Sequence, residues 1–304
     1  MVLGKLMRVL ETITRYRKAY KNWMLVVICM FYGRHIIKIS LKNGGSYVVS
    51  RDIVILISLV YQHNNNDFSE IVSFDKDDGV LSFMYDSRKI LLKVYAQGHF
   101  NGEFSAYYGA YAFLEPLQNK KIIDIGANIA DTSIWFQIKG AIKVIALEPY
   151  KFSYTMAKES IKLNRLSNTI SLINAGYGED GTVELENIIS DPTTQLTGVK
   201  NGELVPIYSL RTIIHEFATP SDSGLLLKMD CEGCEYHILN EDCDVLRKFE
   251  KILIEYHYGY ENIVQKLEKC GFMVSFSTPR RGRSYSRQRL VQGYIYAVRK
   301  TYVV

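Results

Sequence analysis

Cysteine is scarce in this chain and no apolar run is long. The five cysteines (Cys29, Cys231, Cys234, Cys243 and Cys270) in 304 residues are scattered and odd in number. A disulfide framework is therefore not expected, and a reducing compartment, the cytoplasm, is the default. Cys231 and Cys234 have no second C-x-x-C pair, only His237 and Cys243 nearby. Structural zinc needs four well-spaced ligands, so these cysteines read as small packing residues and no structural metal is expected. Residues 23–32 are the main apolar stretch, but ten residues are half of what spans a bilayer, so no transmembrane segment is expected. Basic residues precede it without a small-residue cleavage site after it, which argues against a secretory signal. No internal repeat is visible.

What is present is a globular composition, 47% hydrophobic and 23% charged. The net charge is +5, and Arg280, Arg281, Arg283, Arg287 and Arg289 alone equal it. Basicity concentrated in one stretch suggests a local anionic contact, with a solvated face as the ordinary alternative. Residues 3–20 place Leu3, Leu6, Met7, Leu10, Ile13, Tyr16 and Tyr20 at helical spacing with basic residues between. That helix packs on its own domain or makes a peripheral contact with anionic lipid or a partner. Residues 35–49 read as a hairpin around Asn43-Gly44-Gly45. Residues 1–100 thus form a small α+β extension, and 101–304 a second domain.

From about residue 105 strands and helices alternate, which predicts an α/β fold. Helices are expected over 150–166, 210–218, 234–248 and 261–269, with a β-arm near 182–209. The last two strands, 272–277 and 293–299, are joined by the arginine loop without a helix, so they must be antiparallel. A mostly parallel sheet with one antiparallel hairpin at its end is the methyltransferase arrangement.

The first of those strands, Lys121–Ile125, ends at Asp124 and a turn of Gly126, Ala127 and Asn128. Open α/β sheets bind ligands at such carboxyl ends, and small residues let backbone approach a ligand. A second strand ends in Glu148, 24 residues after Asp124, placed to accept both hydroxyls of a ribose. The turn lacks the second glycine of G-x-G-x-x-G, which a pyrophosphate requires. A cofactor with ribose but no phosphate fits better, and S-adenosylmethionine is the common one.

Residues 225–235 read LLLKMDCEGCE, a buried strand with Asp230 at its tip and Glu232 and Glu235 just after. A further strand ends in Glu255-Tyr256-His257. Four acids and a histidine would crowd one sheet edge, which calls for a cation, a proton or a basic partner. A sulfonium is such a cation. Glu235 also suits electrostatic capping of the following helix.

The segments IIDIGANIADTSIWF, VIALEP, Lys162-Leu163-Asn164, LLLKMDCEGCEYHIL and ILIEYH resemble the FkbM-type S-adenosylmethionine-dependent methyltransferases over roughly residues 98–299. The resemblance implies a Rossmann-like, seven-stranded methyltransferase fold and methyl transfer to oxygen, often on a sugar or polyketide hydroxyl. It implies that Asp124, Gly126 and Asn128 bind the methionine and nucleoside parts, and Glu148 the ribose. Glu103, in a G-E-aromatic element, would reach the cofactor as well. Ala130 departs from the family's usual glycine, a change tolerated at a helix–strand contact.

Methyl transfer to an alcohol needs collinear alignment and loss of the hydroxyl proton. His257 is the expected base, with Asp230 and Glu232 orienting it or one of them taking the proton. Alternatively Asp230, Glu232 and Glu255 hold a Mg²⁺-like ion. The expected acceptor is a small molecule or glycan hydroxyl, and the arginine stretch admits an anionic one. An RNA methyltransferase is the alternative, favoured by the aromatic and basic residues of 15–23, though no RNA-binding module precedes the core. A binding protein that retains the fold without catalysis is the third reading. Oligomeric state is not legible.

Overall fold

The computed structural model describes residues 2–34, 36–42, 45–51, 53–55, 57–58, 72–75, 78–96, 99–100, 104–185, 202–219, 224–283 and 289–300. The chain divides into two compact units, Met1–Gly109 and Ala110–Val304.

In the first unit, α1 (Val2–Ala19) and α2 (Trp23–Phe31) precede a hairpin of β1 (Ile36–Ser40) and β2 (Ser46–Ser50). Strand periodicity sorts β1 into buried Ile37 and Ile39 and exposed Ile36 and Lys38. Asn22 ties the two motifs together: its Oδ1 accepts from the Ser40 N–H at 2.8 Å, and its Nδ2 donates to the Lys38 carbonyl at 2.8 Å. An antiparallel sheet of β3 (Val72–Asp75), β4 (Val80–Tyr85) and β5 (Arg88–Lys93) follows, then the short pair β6 (Tyr95–Ala96) and β7 (His99–Phe100). The extension is α+β, as its sequence pattern predicts.

The second unit begins with β8 (Lys121–Ile125), α3 (Asp131–Ile138), β9 (Lys143–Leu147), α4 (Lys151–Leu163) and β10 (Ile170–Ile173). A side sheet of β11 (Gly176–Tyr177), β12 (Gly181–Leu185) and β13 (Glu203–Tyr208) interrupts the alternation. β12 and β13 are the expected β-arm; its tip, residues 186–201, lies outside the described residues. After α5 (Leu210–Phe217) the chain returns beside β8 with β14 (Leu225–Met229), then adds α6 (Cys243–Leu246), β15 (Phe249–Tyr256), α7 (Glu261–Lys269), β16 (Phe272–Phe276), β17 (Arg280–Arg283) and β18 (Arg289–Arg299).

The main sheet runs β10–β9–β8–β14–β15–β18–β16. Its first five strands are parallel, and β18 is antiparallel to both β15 and β16. This is the Rossmann-like seven-stranded arrangement with a C-terminal antiparallel hairpin. The chain leaves β8 outward through β9 and β10, then restarts on its other side at β14. The crevice for a ligand therefore lies at the tips of β8 and β14, where the strand order reverses. All five residues of β14 are buried, including Lys228.

Local sequence accounts for the elements that frame this crevice. Residues 132–136 of α3 are all buried, so the helix is fixed by packing on every side. The Ser209 side chain accepts from the Thr212 N–H and caps α5, whose Leu210, Ile213 and Ile214 form the inward stripe. α7 buries Ile263 and Leu267 one turn apart and stops at Gly271, φ +93°.

Three expectations are corrected. The helix over 234–248 is a 3-10 helix, Cys234–Asn240, followed by the short α6. The break comes at Glu241, which is extended because its carboxylate turns inward to accept from the Leu210 N–H at 2.7 Å and the Tyr177 hydroxyl at 3.2 Å. The arginine loop begins as a strand, with β17 paired to β18 from Arg280↔Gln292 to Arg283↔Arg289; residues 284–288 lie outside the described residues. Four of the five cysteines are paired, Cys231 with Cys234 and Cys243 with Cys270, leaving Cys29 free. Folding brings the start of α6 to the end of α7, a proximity invisible to counting. With two pairs formed, an odd total no longer argues for a reducing compartment.

Candidate active site

The turn after β8 is held from three sides. The N–H groups of Gly126 and Ala127 both donate to the Leu147 carbonyl, at 3.1 and 2.9 Å, binding the turn to the end of β9. On its other flank the turn meets the segment after β14. A Cβ built on Gly126 would stand 1.8 Å from the Asp230 carbonyl oxygen, and Gly126 has φ +78°. Only glycine fits there, because backbone approaches backbone. Asn128 (φ +48°) and Ala130 (φ +64°) are also left-handed. Ala130 thus departs from glycine at a conformational position, the N-cap of α3, and not at the helix–strand contact that the sequence suggested.

Below the turn sits a buried ion pair. Lys228 lies opposite Asp124 in the β14–β8 register, and Lys228 Nζ stands 3.1 Å from Asp124 Oδ1. The same Nζ donates to the Gly126 carbonyl at 2.9 Å, and Ser133 Oγ donates to Asp124 Oδ2 at 2.6 Å. Burial disfavours the ammonium, but the charges of Asp124 and Asp230 outweigh that and hold its pKa above the ordinary lysine range. Asp124 is fully buried between Lys228 and Ser133. In this position it anchors the turn from behind through Lys228, whose Nζ also reaches the Gly126 carbonyl.

Glu148 is where a ribose acceptor should be, at the tip of β9. Its Oε2 accepts from the Asn128 N–H and its Oε1 from the Tyr150 N–H, both at 2.9 Å. Asn128 therefore meets the site through its backbone. A carboxylate offers about four lone-pair sites, so each oxygen retains capacity for a hydroxyl donor. Burial pushes the Glu148 pKa up to about 7, opposed by those two N–H donors and by Lys228. These features fit a cofactor that presents a ribose diol and no phosphate. Glu103 falls outside the described residues.

The acids after β14 and the end of β15 meet as expected. One ligand atom from each of Asp230, Glu232 and His257 lies within 4.8 Å of the others. The Tyr111 hydroxyl donates to Asp230 Oδ2 at 3.2 Å. His257 is clamped between two carboxylates, with Nε2 3.3 Å from Glu232 Oε1 and Nδ1 2.9 Å from Glu235 Oε1. Its backbone N–H also donates to Glu235 Oε1, at 3.1 Å. Glu235 is thus no helix cap but a buried partner of His257, and its Oε2 accepts from the Gly233 N–H at 2.7 Å. The tight loop puts Glu232 at φ +56° and Gly233 at +123°, and the Cys231–Cys234 bond closes it.

The electrostatics reassign the histidine. Burial works against its charge, but hydrogen bonds and charges from Glu232 and Glu235 push its pKa up to about 12. An imidazolium has no lone pair with which to take a proton, so this pairing opposes a role for His257 as a neutral base. A divalent ion among Asp230, Glu232 and His257 would have to displace this pairing. Glu232 is raised by burial, despite His257. Glu255 is pushed up to about 8 by burial and then by the charge of Asp230, while its cross-strand partner Tyr294 hydrogen-bonds it.

The methyltransferase FkbM domain model matches residues 124–274, the span that carries the turn, Glu148, the 228–235 motif and His257. Residues 124–274 belong to the FkbM methyltransferase family. That matched span carries a domain of the S-adenosylmethionine-dependent methyltransferase kind. Its structure is similar to methyltransferase FkbM from Methylobacillus flagellatus KT, at 14% identity over 59% of this chain and 43% of that one, TM-score 0.38. A precorrin-6y C5,15-methyltransferase from Geobacter metallireducens GS-15 matches at 13% identity over 67% and 93%, TM-score 0.38. A tRNA methyltransferase from M. jannaschii matches at 15% over 74% and 56%, TM-score 0.41. No curated protein matches the sequence.

Sequence reasoning passed over Lys228, Tyr111 and Tyr294, which folding brings to Asp124, Asp230 and Glu255. Lys228 carried a usable signal, a lone charge inside a five-residue apolar strand, which must have a buried partner. Tyr111 and Tyr294 carried none, since both reach the site from segments distant in the chain.

Proposed function

We propose that this FkbM domain methylates a hydroxyl oxygen on a glycan or other small molecule. The observation that carries the reading is the contact between the Gly126 turn and Asp230, which sets the acidic cluster against the cofactor turn. S-adenosylmethionine, when bound, supplies the electrophilic methyl carbon and a sulfonium charge suited to this acidic edge. Glu148 and the Asn128–Ala130 turn hold its nucleoside end. Glu232 would take the acceptor's hydroxyl proton, the methyl carbon exchanging its bond to sulfur for one to that oxygen. His257 is a positioning residue, keeping Glu232 in place through Nε2, and Asp230, steadied by Tyr111, orients the acceptor. Glu255, neutral near pH 7, is able to donate to an acceptor oxygen.

The test combines calorimetry of S-adenosylmethionine binding with transfer of labelled methyl to a panel of glycans, small alcohols and RNA. Expected are binding lost in Glu148→Ala, base-stable methyl ethers on a glycan or small alcohol, and a kcat about 10²–10⁴-fold lower in Glu232→Gln with cofactor affinity kept. Prior chelation is expected to leave turnover intact. Label in RNA alone, dependent on Arg280 and Arg281, would replace the acceptor class. Absence of cofactor binding would leave a binding protein of inherited fold.

A further inference from the structure

The first unit presents an apolar helical stripe to solvent. In α2, Met24, Leu25, Ile28 and Phe31 project outward and Tyr32 continues the line, at spacings of one helical face. Phe31 is 85% exposed, Tyr32 74% and Met24 63%, while Val26 is the one buried residue of this helix. Single exposed apolar residues are ordinary, but a contiguous helical face of them marks an interaction site.

The charge around that face selects the partner. Residues 1–50 hold nine Lys and Arg against the single carboxylate of Glu11. Among them Arg17, Lys18, Lys21, Arg34, Lys38 and Lys42 are exposed. They flank α2 on both sides in the chain, at the end of α1 and from Gly33 onward into the hairpin. α2 is too short to enter a bilayer lengthwise: nine residues rise about 14 Å, against a hydrocarbon core of about 30 Å. No helix among the described residues is long and apolar enough to cross. An exposed apolar helix face with exposed basic residues on both sides of it in the chain is instead suited to lying in the interface of an anionic lipid surface. A second copy of this chain would bring the same positive charge to the contact and be repelled.

We infer that α2 and its flanking basic residues dock the protein on an anionic membrane surface, with Met24, Ile28 and Phe31 entering the acyl boundary. The docking is independent of the acceptor on which the FkbM site acts.

The experiment mixes the full chain with vesicles of equimolar phosphatidylglycerol and phosphatidylcholine, or of phosphatidylcholine alone, and measures co-sedimentation. Emission of Trp23 gives a second reading, because the other tryptophan, Trp135, is already buried. Expected are binding to the anionic vesicles, a blue shift of Trp23, and at least a tenfold weaker partition in Phe31→Asp or in Lys18→Glu/Lys21→Glu. High salt should also weaken it. These positions are exposed, so circular dichroism should show unchanged folding. Binding to neither vesicle overturns the inference, as does equal binding to both that ignores these substitutions. Lipid-free dimers abolished by Phe31→Asp would assign the face to a second copy and overturn it too.

Discussion

Replacing Lys228 by methionine keeps the volume of the side chain and removes only its charge and donors. Asp124 would then be left fully buried, with Ser133 Oγ as its remaining hydrogen-bond donor and no countercharge at 3.1 Å. Breaking one side of a buried pair typically costs about 3–5 kcal/mol. A ceiling exists, because the carboxylate can escape by taking a proton. At pH 7 that escape costs about 4 kcal/mol, from an ordinary aspartate pKa near 3.9 and ~1.36 kcal/mol per unit. The expected loss is therefore about 3–4 kcal/mol at pH 7, falling to about 2 kcal/mol at pH 5.5. Lys228 itself remains charged throughout this window and so contributes no slope. Urea unfolding followed through Trp135, which sits in α3 two residues beyond Ser133, reports on this region; Trp23→Phe removes the only other tryptophan. The double variant Lys228→Met/Asp124→Asn should recover much of the loss, since asparagine still accepts from Ser133. A loss below about 1 kcal/mol at pH 7, or one unchanged at pH 5.5, would refute the reasoning.

Gly126→Ala forces a Cβ to within 1.8 Å of the Asp230 carbonyl at a left-handed φ, so thermal unfolding should show a loss of at least about 3 kcal/mol, and calorimetry no cofactor binding. Glu148 binds a ribose best as a carboxylate. Its folded pKa of about 7 lies above the ordinary value, so the stability associated with it is greatest below that ordinary value and is lost as pH rises through 7. S-adenosylmethionine affinity should conversely rise through pH 7, and a Glu148→Gln variant should bind weakly with no such slope. Cys243→Ser opens a bridge across a sequence separation of 27, which loop-closure entropy puts at about 3.5 kcal/mol in denaturant unfolding. An unfolding midpoint indifferent to reductant would show that this bridge does not form in solution.

The sheet was legible because its strands follow one rule. Buried on both faces, Lys121–Ile125, Lys143–Leu147 and Leu225–Met229 appear as short β-branched or leucine runs, each ending in or followed by an acid. Acids at strand ends then located the crevice. Their individual duties were not legible, because duty depends on depth and partner. Asp124 and Asp230 end neighbouring strands and look alike in sequence. One faces Lys228 beneath the turn, and the other meets Tyr111 within the acidic cluster. His257 shows the same limit. A histidine beside acids suggests a base near neutrality, but two carboxylates on its two ring nitrogens turn it into a fixed cation. Chemistry at this edge thus follows from which acids are left without a cation of their own. Asp124 is neutralised by Lys228 and Glu235 by the near side of His257. Glu232 shares His257 and sits in a strained loop beside Asp230, and on the proposed reading it is the acid that takes the acceptor's proton.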